Sequence, residues 1–302
     1  MKNLLLDIPW TGKVEAIAFE VGGLTVQWYG IIITLSMLLG LALAVKLTKR
    51  INLTSDDLIS LFLWAIPLAI IGARLGHVIS RYQTYFTSPY DWNAFVDTIA
   101  IWNGGLTIMW GVPAGVLGGF IWSKVHKKNY LQAVDIILPV VLICQALGRW
   151  GNFFNQELYG QLITNPNLQW FPMAVFIANK GAWYQATFFY ESILDMIGFF
   201  ALCYVSSHFA IKGKGIFGYA FWYCMVRGSL EFIRDDGSTN AFDNGVNSVM
   251  IYCYVIAGIA LIGFILSIIY NKKKGNKIFY KHGIPPLPPI NPQKIMPVTN
   301  IK

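Results

Sequence analysis

The chain of 302 residues is 55% hydrophobic and 13% charged, with a mean hydropathy of +0.51, whereas soluble domains carry roughly 25% charged residues. That balance excludes a soluble globular protein and predicts an all-α, polytopic integral membrane protein. The net charge of +8 argues against a nucleic-acid partner, because the bases are not gathered on a soluble face but punctuate apolar runs, as topology signals do.

A spanning helix needs about 20 mostly apolar residues, and the chain offers seven such runs. Residues 1–10 contain Asp7 and lack a small-residue cleavage site, so no cleavable signal peptide is expected. The first span covers about 28–45, opens on Trp28-Tyr29-Gly30 and ends in Lys46, Lys49 and Arg50. Asn52, Thr54, Ser55 and Asp56 predict a turn and a helix N-cap. The second span, about 58–79, carries Pro67, Arg74 and His77, and a polar, aromatic loop over 82–97 follows. The third, about 104–122, is preceded by Trp102-Asn103 and ends in Lys124, Lys127 and Lys128. Its Gly111, Gly115, Gly118 and Gly119 predict close helix packing.

The fourth span covers about 131–149. Residues 151–187 are too rich in Asn, Gln and Trp to span and predict a small external cap. The fifth span, about 188–209, opens on Tyr190-Glu191 and is followed by Lys212 and Lys214. The sixth, about 215–233, contains Arg227 and Glu231, and a loop with Asp-Gly and Asn-Gly turn signals covers 235–247. The seventh, about 249–270, ends in Lys272, Lys273, Lys274 and Lys277. Residues 1–270 thus form a single seven-span membrane domain, and 271–302 a basic, proline-rich tail expected to be disordered.

The lysine clusters all fall on one side of this arrangement, which the positive-inside rule makes the cytoplasm. The N-terminus is then outside and the C-terminus inside. Of the six arginines, only Arg50 joins those clusters, while Arg74, Arg81, Arg149, Arg227 and Arg234 sit in the opposite halves or at the opposite ends of spans. Arginine is suited to bidentate capture of phosphate or carboxylate.

Two constellations stand out. Gly148-Arg149-Trp150-Gly151-Asn152-Phe153-Phe154-Asn155-Gln156-Glu157-Leu158-Tyr159-Gly160 places complementary polar groups where an apolar run ends. A charge at the edge of hydrocarbon is a functional candidate; the alternative is a helix end, closed by Gly151, with Arg149 snorkelling to water. In the sixth span Tyr223, Arg227, Glu231 and Arg234 recur at spacings of four, four and three, along one helical face. An intrahelical ion pair between Arg227 and Glu231 is the simpler reading of that stripe. Glu191 is placed to cap a helix or orient an arginine. Cys144, Cys203, Cys224 and Cys253 lie inside apolar runs without a CxxC, and the four histidines are scattered, so neither disulfide nor metal chemistry is expected.

The 148–160 stretch resembles the GRxGNFxNxExxG signature of the bacterial prolipoprotein diacylglyceryl transferases. The likeness extends to Trp28-Tyr29-Gly30, Gly72-Ala73-Arg74-Leu75, Trp102-Asn103-Gly104-Gly105, Tyr190-Glu191, and Tyr223, Arg227, Glu231 and Arg234, in family order. The resemblance implies a multi-pass plasma-membrane enzyme that needs no cofactor and acts as a monomer. It would move the diacylglyceryl group of phosphatidylglycerol onto the lipobox cysteine thiol of a prolipoprotein, at the outer leaflet. By the same resemblance Arg149 binds phosphatidylglycerol, with Asn152, Asn155, Gly160, Tyr223 and Arg74 as further substrate-binding positions. Arg227, Tyr29, Glu157 and Glu231 are the implied catalytic positions. The headgroup would then be held between Arg149 and Arg227.

Two pieces depart from the family pattern. Met109 stands where many members have a histidine proposed as base, and Gln185-Ala186-Thr187-Phe188 replaces a His-Pro-x-Gln run before Tyr-Glu. Methionine takes no proton, which leaves Glu157 or an arginine-activated thiolate as the source of the nucleophile. The alternatives are a non-catalytic phospholipid-binding protein of the same fold and, on the intramembrane charges alone, a transporter, for which the chain offers no convincing internal repeat.

Overall fold

The computed structural model describes residues 14–21, 24–48, 53–86, 92–101, 104–234 and 248–279. The expectations for residues 1–10, Arg50, Asn52, Trp102-Asn103, the 235–247 loop and the proline run at 285–289 lie outside the described residues. In chain order the elements are β1 (Ile17–Val21), β2 (Leu24–Gln27), α1 (Trp28–Thr48), α2 (Ser55–Ser80), α3 (Tyr82–Tyr85), α4 (Trp92–Ile99), α5 (Ile108–Val125) and α6 (Tyr130–Asn155). There follow β3 (Ala174–Ile177), β4 (Ala182–Gln185), α7 (Thr187–His208), α8 (Lys214–Leu230) and α9 (Ser248–Lys273).

Six of these helices, α1, α2, α5, α6, α7 and α9, are long and apolar enough to cross a membrane. The protein is therefore an all-α, multi-pass membrane protein. α8, the sixth expected span, has 17 residues, or about 25 Å at the usual rise of ~1.5 Å per residue. It packs against both α7 and α9. Its polar stripe keeps its mean hydropathy low. The distribution of side chains suits a lipid solvent: Ile251, Val255, Ile259 and Ile262 of α9 are exposed, whereas Asp135, Glu191, Asp195 and Glu231 are buried.

The chain divides into two compact units. In one, Ile51–Ala133, α2 and α5 pack closely because glycines remove the side chains between them. A Cβ on Gly118 would stand 2.9 Å from the Trp64 carbonyl, and one on Gly111 3.1 Å from the Ala73 Cβ. The expected N-cap is a full capping box: Asp57 N–H donates to Thr54 Oγ1 at 3.1 Å, and Thr54 N–H to Asp57 Oδ2 at 2.9 Å. The 82–97 stretch, expected as loop, instead holds α3 and the greater part of α4, which runs on to Ile99. Gly104 and Gly105 adopt φ of 82° and 75°, so the third span becomes helical only at Ile108.

The other unit, Met1–Arg50 with Val134–Lys302, opens with the antiparallel β1–β2 hairpin, which sequence reasoning passed over although Phe19-Glu20-Val21 and Leu24-Thr25-Val26-Gln27 alternate apolar and polar residues on either side of a Gly-Gly dipeptide. α6 continues through Gly151 to Asn155, six residues past the expected end, so Gly151 does not close the helix. Tertiary contact overrides glycine's local preference here: the Tyr29 ring lies against Gly151, where a Cβ would stand 2.6 Å from Cδ2. Further along the same unit, Asp135 accepts from Gly213 N at 3.0 Å and Gly215 N at 2.7 Å, and Lys214 Nζ donates to the Ser206 carbonyl at 2.8 Å and to that of Phe209. These bonds fasten α6, α7 and the start of α8 together.

Candidate functional site

Three helices each contribute a polar ladder at helical spacing. α6 carries Gln145, Arg149 and Asn152; α7 carries Glu191 and Asp195; α8 carries Tyr219, Tyr223 and Arg227. Spacings of three and four put each set on one face, and the faces meet. The Arg149 guanidinium donates to the Glu191 carboxylate, with both side chains largely buried. Its other nitrogen reaches Asn152 Oδ1 at 3.5 Å, the edge of hydrogen bonding. The Tyr219 hydroxyl donates to Gln145 Oε1 at 3.2 Å, and the Tyr223 ring stacks on that of Tyr219 with centroids 5.6 Å apart and planes within 6°. Tyr223 lies within electrostatic range of Arg149, Glu191, Arg227 and Asp195.

The stripe on α8 and just beyond it is wired as the spacing predicts. Arg227 pairs with Glu231, and Arg234 approaches the same carboxylate at 3.9 Å. The intrahelical pair is therefore real, and it is buried: Glu231 is 6% exposed. Two arginines therefore flank one acid here.

The turn after α6 completes the rim. Gln156 and Leu158 take φ of 52° and 57°, a left-handed conformation that costs roughly 1–2 kcal/mol per ordinary residue. Gln156 is held there by the cap, accepting from Ala178 N at 3.0 Å and donating to the Phe176 carbonyl at 3.4 Å. The turn folds Glu157 back over the helix end. Glu157 N–H donates to the Asn152 carbonyl at 3.1 Å, and its carboxylate accepts from Asn152 Nδ2 at 2.8 Å and Asn155 Nδ2 at 3.2 Å. Glu157 remains exposed. Tyr29, half exposed on α1, lies within electrostatic range of Glu157 and Arg149.

Gly160 is a packing position. Its N–H donates to the Gln185 carbonyl at 3.0 Å. A Cβ there would stand 2.8 Å from each of Gln185 Cβ, the Ile233 carbonyl oxygen and Thr187 Cγ2. Behind the rim, β3 and β4 pair as an antiparallel hairpin, and Phe153, Tyr159, Val175, Ile177, Ala186 and Phe188 form a buried core that anchors the turn to it.

Arg74 belongs to the other unit. It is 7% exposed and its guanidinium meets main chain: Nε to the Thr98 carbonyl at 3.0 Å, Nη1 to those of Gly104 at 2.8 Å and Gly105 at 3.1 Å, and Nη2 to that of Asp97. Met109 is 78% exposed at the start of α5.

Of the residues expected from sequence, Tyr29, Arg149, Asn152, Asn155, Glu157, Tyr223, Arg227 and Glu231 lie together in one unit, with Glu191 as the orienting carboxylate of Arg149. Sequence reasoning passed over Gln145, Asp195 and Tyr219. Each is one helical turn from a residue it did single out, namely Arg149, Glu191 and Tyr223, so extending each motif by four residues would have found them.

The model of the family described as prolipoprotein diacylglyceryl transferase matches residues 16–267. The chain is 36% identical over 269 residues to a phosphatidylglycerol–prolipoprotein diacylglyceryl transferase of Bacillus licheniformis, covering 88% of this chain and 95% of that one. It is 32% identical over 271 residues to the protein of that name from Listeria monocytogenes serotype 4b, covering 88% and 93%. The Staphylococcus carnosus protein of the same name is 34% identical over 253 residues, covering 82% and 90%.

Proposed function

This chain belongs to the prolipoprotein diacylglyceryl transferase family, and from that premise we propose that it transfers the diacylglyceryl group of phosphatidylglycerol to the lipobox cysteine of prolipoproteins. The reaction would run at the outer leaflet of a bacterial plasma membrane, with the N-terminus outside and the C-terminal tail in the cytoplasm, as the lysine clusters suggest.

The observation that carries this reading is the pairing of Arg149 with Glu191. A buried guanidinium is held by an exchangeable side-chain carboxylate rather than by main chain. A phosphodiester presents the same geometry of paired anionic oxygens and can share or take that place. Tyr223 is within electrostatic range of both Arg149 and Arg227, which is consistent with a phosphate lying between the two arginines.

The chemistry then needs little from the protein beyond charge and position. The cysteine S–H bond breaks, and its proton passes to Glu157, the exposed carboxylate of the rim. The thiolate attacks the glyceryl carbon that carries the phosphate; the S–C bond forms, and the C–O bond breaks with its electron pair on oxygen. Glycerol phosphate leaves with one more negative charge than the diester had. Arg149 and Arg227 stabilise that developing charge, which is where transition-state stabilisation is largest. Asn152 and Asn155 hold the Glu157 carboxylate in place, and Tyr29 covers the helix end beneath it.

The test is transfer from labelled phosphatidylglycerol to a lipobox peptide by the purified full chain. Thioether-linked diacylglyceryl peptide is expected, with glycerol phosphate released in equal amount. An inactive wild type, or a fully active Arg149→Ala, overturns the proposal. The exposed Met109 favours one second reading, lipid binding without turnover. In that case the wild type binds phosphatidylglycerol but transfers nothing, and Met109→His restores transfer.

A further inference from the structure

Asp195 is 0% exposed, and among the described residues neither of its carboxylate oxygens has a hydrogen-bond partner. It follows Glu191 by one turn of α7, so the two acids share a face. The charged and titratable groups facing it, among the described residues, are Glu191 on its own helix, Arg149 from α6, and Tyr219 and Tyr223 from α8. Arg149 itself bonds Glu191, not Asp195.

A fully buried, unpartnered carboxylate is far costlier as an anion than as a neutral acid. Two ionised acids beside one guanidinium would also leave this end of the site negative, and an anionic phosphodiester would be repelled from it. One proton on the acid pair makes Arg149, Glu191 and Asp195 together neutral. Glu191 has the guanidinium bonded to it, whereas Asp195 feels Arg149 only at a distance and accepts no hydrogen bond among the described residues.

We propose that Asp195 is a positioning residue that works as a neutral acid, its proton keeping a second negative charge away from Arg149 so that the phosphate of the lipid can bind there. The inference rests on the reading of Arg149 as a phosphate ligand. The phosphodiester of phosphatidylglycerol keeps one charge from mildly acidic to alkaline pH, so any change of affinity in that interval belongs to the protein. As pH rises and Asp195 loses its proton, the added charge competes with phosphate for Arg149 and affinity falls. Asparagine has nearly the shape of the neutral acid and cannot ionise.

The experiment is equilibrium binding of radiolabelled phosphatidylglycerol to the purified full chain in mixed micelles, from mildly acidic to alkaline pH. Wild-type affinity is expected to fall by about tenfold or more, a usual size for coupling between two binding events. Asp195→Asn should bind as tightly as wild type in acid and lose much less affinity in alkali. Weak binding by folded Asp195→Asn in acid, or an undiminished alkaline loss, overturns the proposal. Arg149→Ala binding as wild type at every pH instead overturns the reading on which it rests. Should Asp195→Asn not fold, the wild type still decides. Its infrared spectrum is expected to show the carbonyl band of a buried neutral carboxylic acid at neutral pH, shifted in Asp195→Glu. Absence of that band overturns the proposal.

Discussion

Arg74 and Arg149 are both buried arginines on long apolar helices, and their two regions treat the same side chain in opposite ways. Four main-chain carbonyls receive the Arg74 guanidinium, and the Tyr85 ring covers it at 5.2 Å from the centroid. Those acceptors are part of the backbone of α4 and of the Gly104-Gly105 turn, and nothing can replace them without undoing both. Arg149 meets one carboxylate and, at 3.5 Å, one amide. Both partners are side chains that can rotate away. Burial alone therefore does not separate a fastening from a ligand site. The acceptor does: fixed carbonyls make an arginine structural, while mobile carboxylates leave it ready for a competing anion.

The largest effect is expected at Arg149. Arg149→Ala should lower transfer by about 10²–10³-fold, the usual cost of removing one donor that stabilises developing charge, and the loss of turnover should outweigh the loss of stability, because Glu191 left without the guanidinium can take a proton. Arg149→Lys should recover part of that, since it restores charge without the bidentate fork. Arg74→Ala should do the reverse. Leaving buried carbonyls unpaired costs about 1–3 kcal/mol for each group, so a destabilisation of about 3 kcal/mol or more is expected from thermal unfolding in detergent. Arg74→Lys should rescue little, because one ammonium cannot span carbonyls from two segments. If Arg74→Ala left stability intact and removed phosphatidylglycerol binding, the comparison would break, and Arg74 would be a substrate ligand as the family motif implies.

How much of this could be read from the sequence follows the same division. Hydropathy located the membrane helices, and helical spacing anticipated the Arg227–Glu231 pair, because both are local. The signature stretch pointed to Arg149, and Tyr190-Glu191 to an orienting acid. The partnership of Arg149 with Glu191 joins residues 42 apart, and no periodicity encodes it. Main-chain acceptors leave no trace in residue types, which is why Arg74 looked like Arg149. Gly151 read as a helix end, since the Tyr29 ring that holds it inside α6 comes from a distant part of the chain. Asp195 escaped notice because one acid amid Ser192-Ile193-Leu194 and Met196-Ile197 reads as an isolated exception.

A smaller effect sharpens the role of the mobile acceptor. Glu191→Gln keeps a hydrogen-bond acceptor at Arg149 and removes its charge. The guanidinium should then be less well oriented but freer to take phosphate. Phosphatidylglycerol affinity is expected to hold or rise, while turnover falls by about tenfold, equal to about 1.4 kcal/mol in the transition state. The split between binding and turnover is the measurement. Loss of binding in proportion to turnover would mean that Glu191 only builds the fold.

The smallest effect tests whether exchangeability matters without burial. Lys128 pairs with Asp57 at 2.7 Å, and both partners are mobile side chains, as at Arg149. Here, however, the Lys128 side chain is 33% exposed, and water competes for it at all times. Asp57 also keeps its capping bonds to Thr54 at 2.9 and 3.1 Å when the lysine is gone. Lys128→Ala should therefore cost less than about 1 kcal/mol, with the loss shrinking further at high salt and transfer unchanged. Thermal unfolding at two salt concentrations decides it. A cost approaching that of Arg74→Ala would show that solvent does not dissolve this pair. The contrast between fixed and mobile acceptors would then need another cause than the exclusion of water around Arg149.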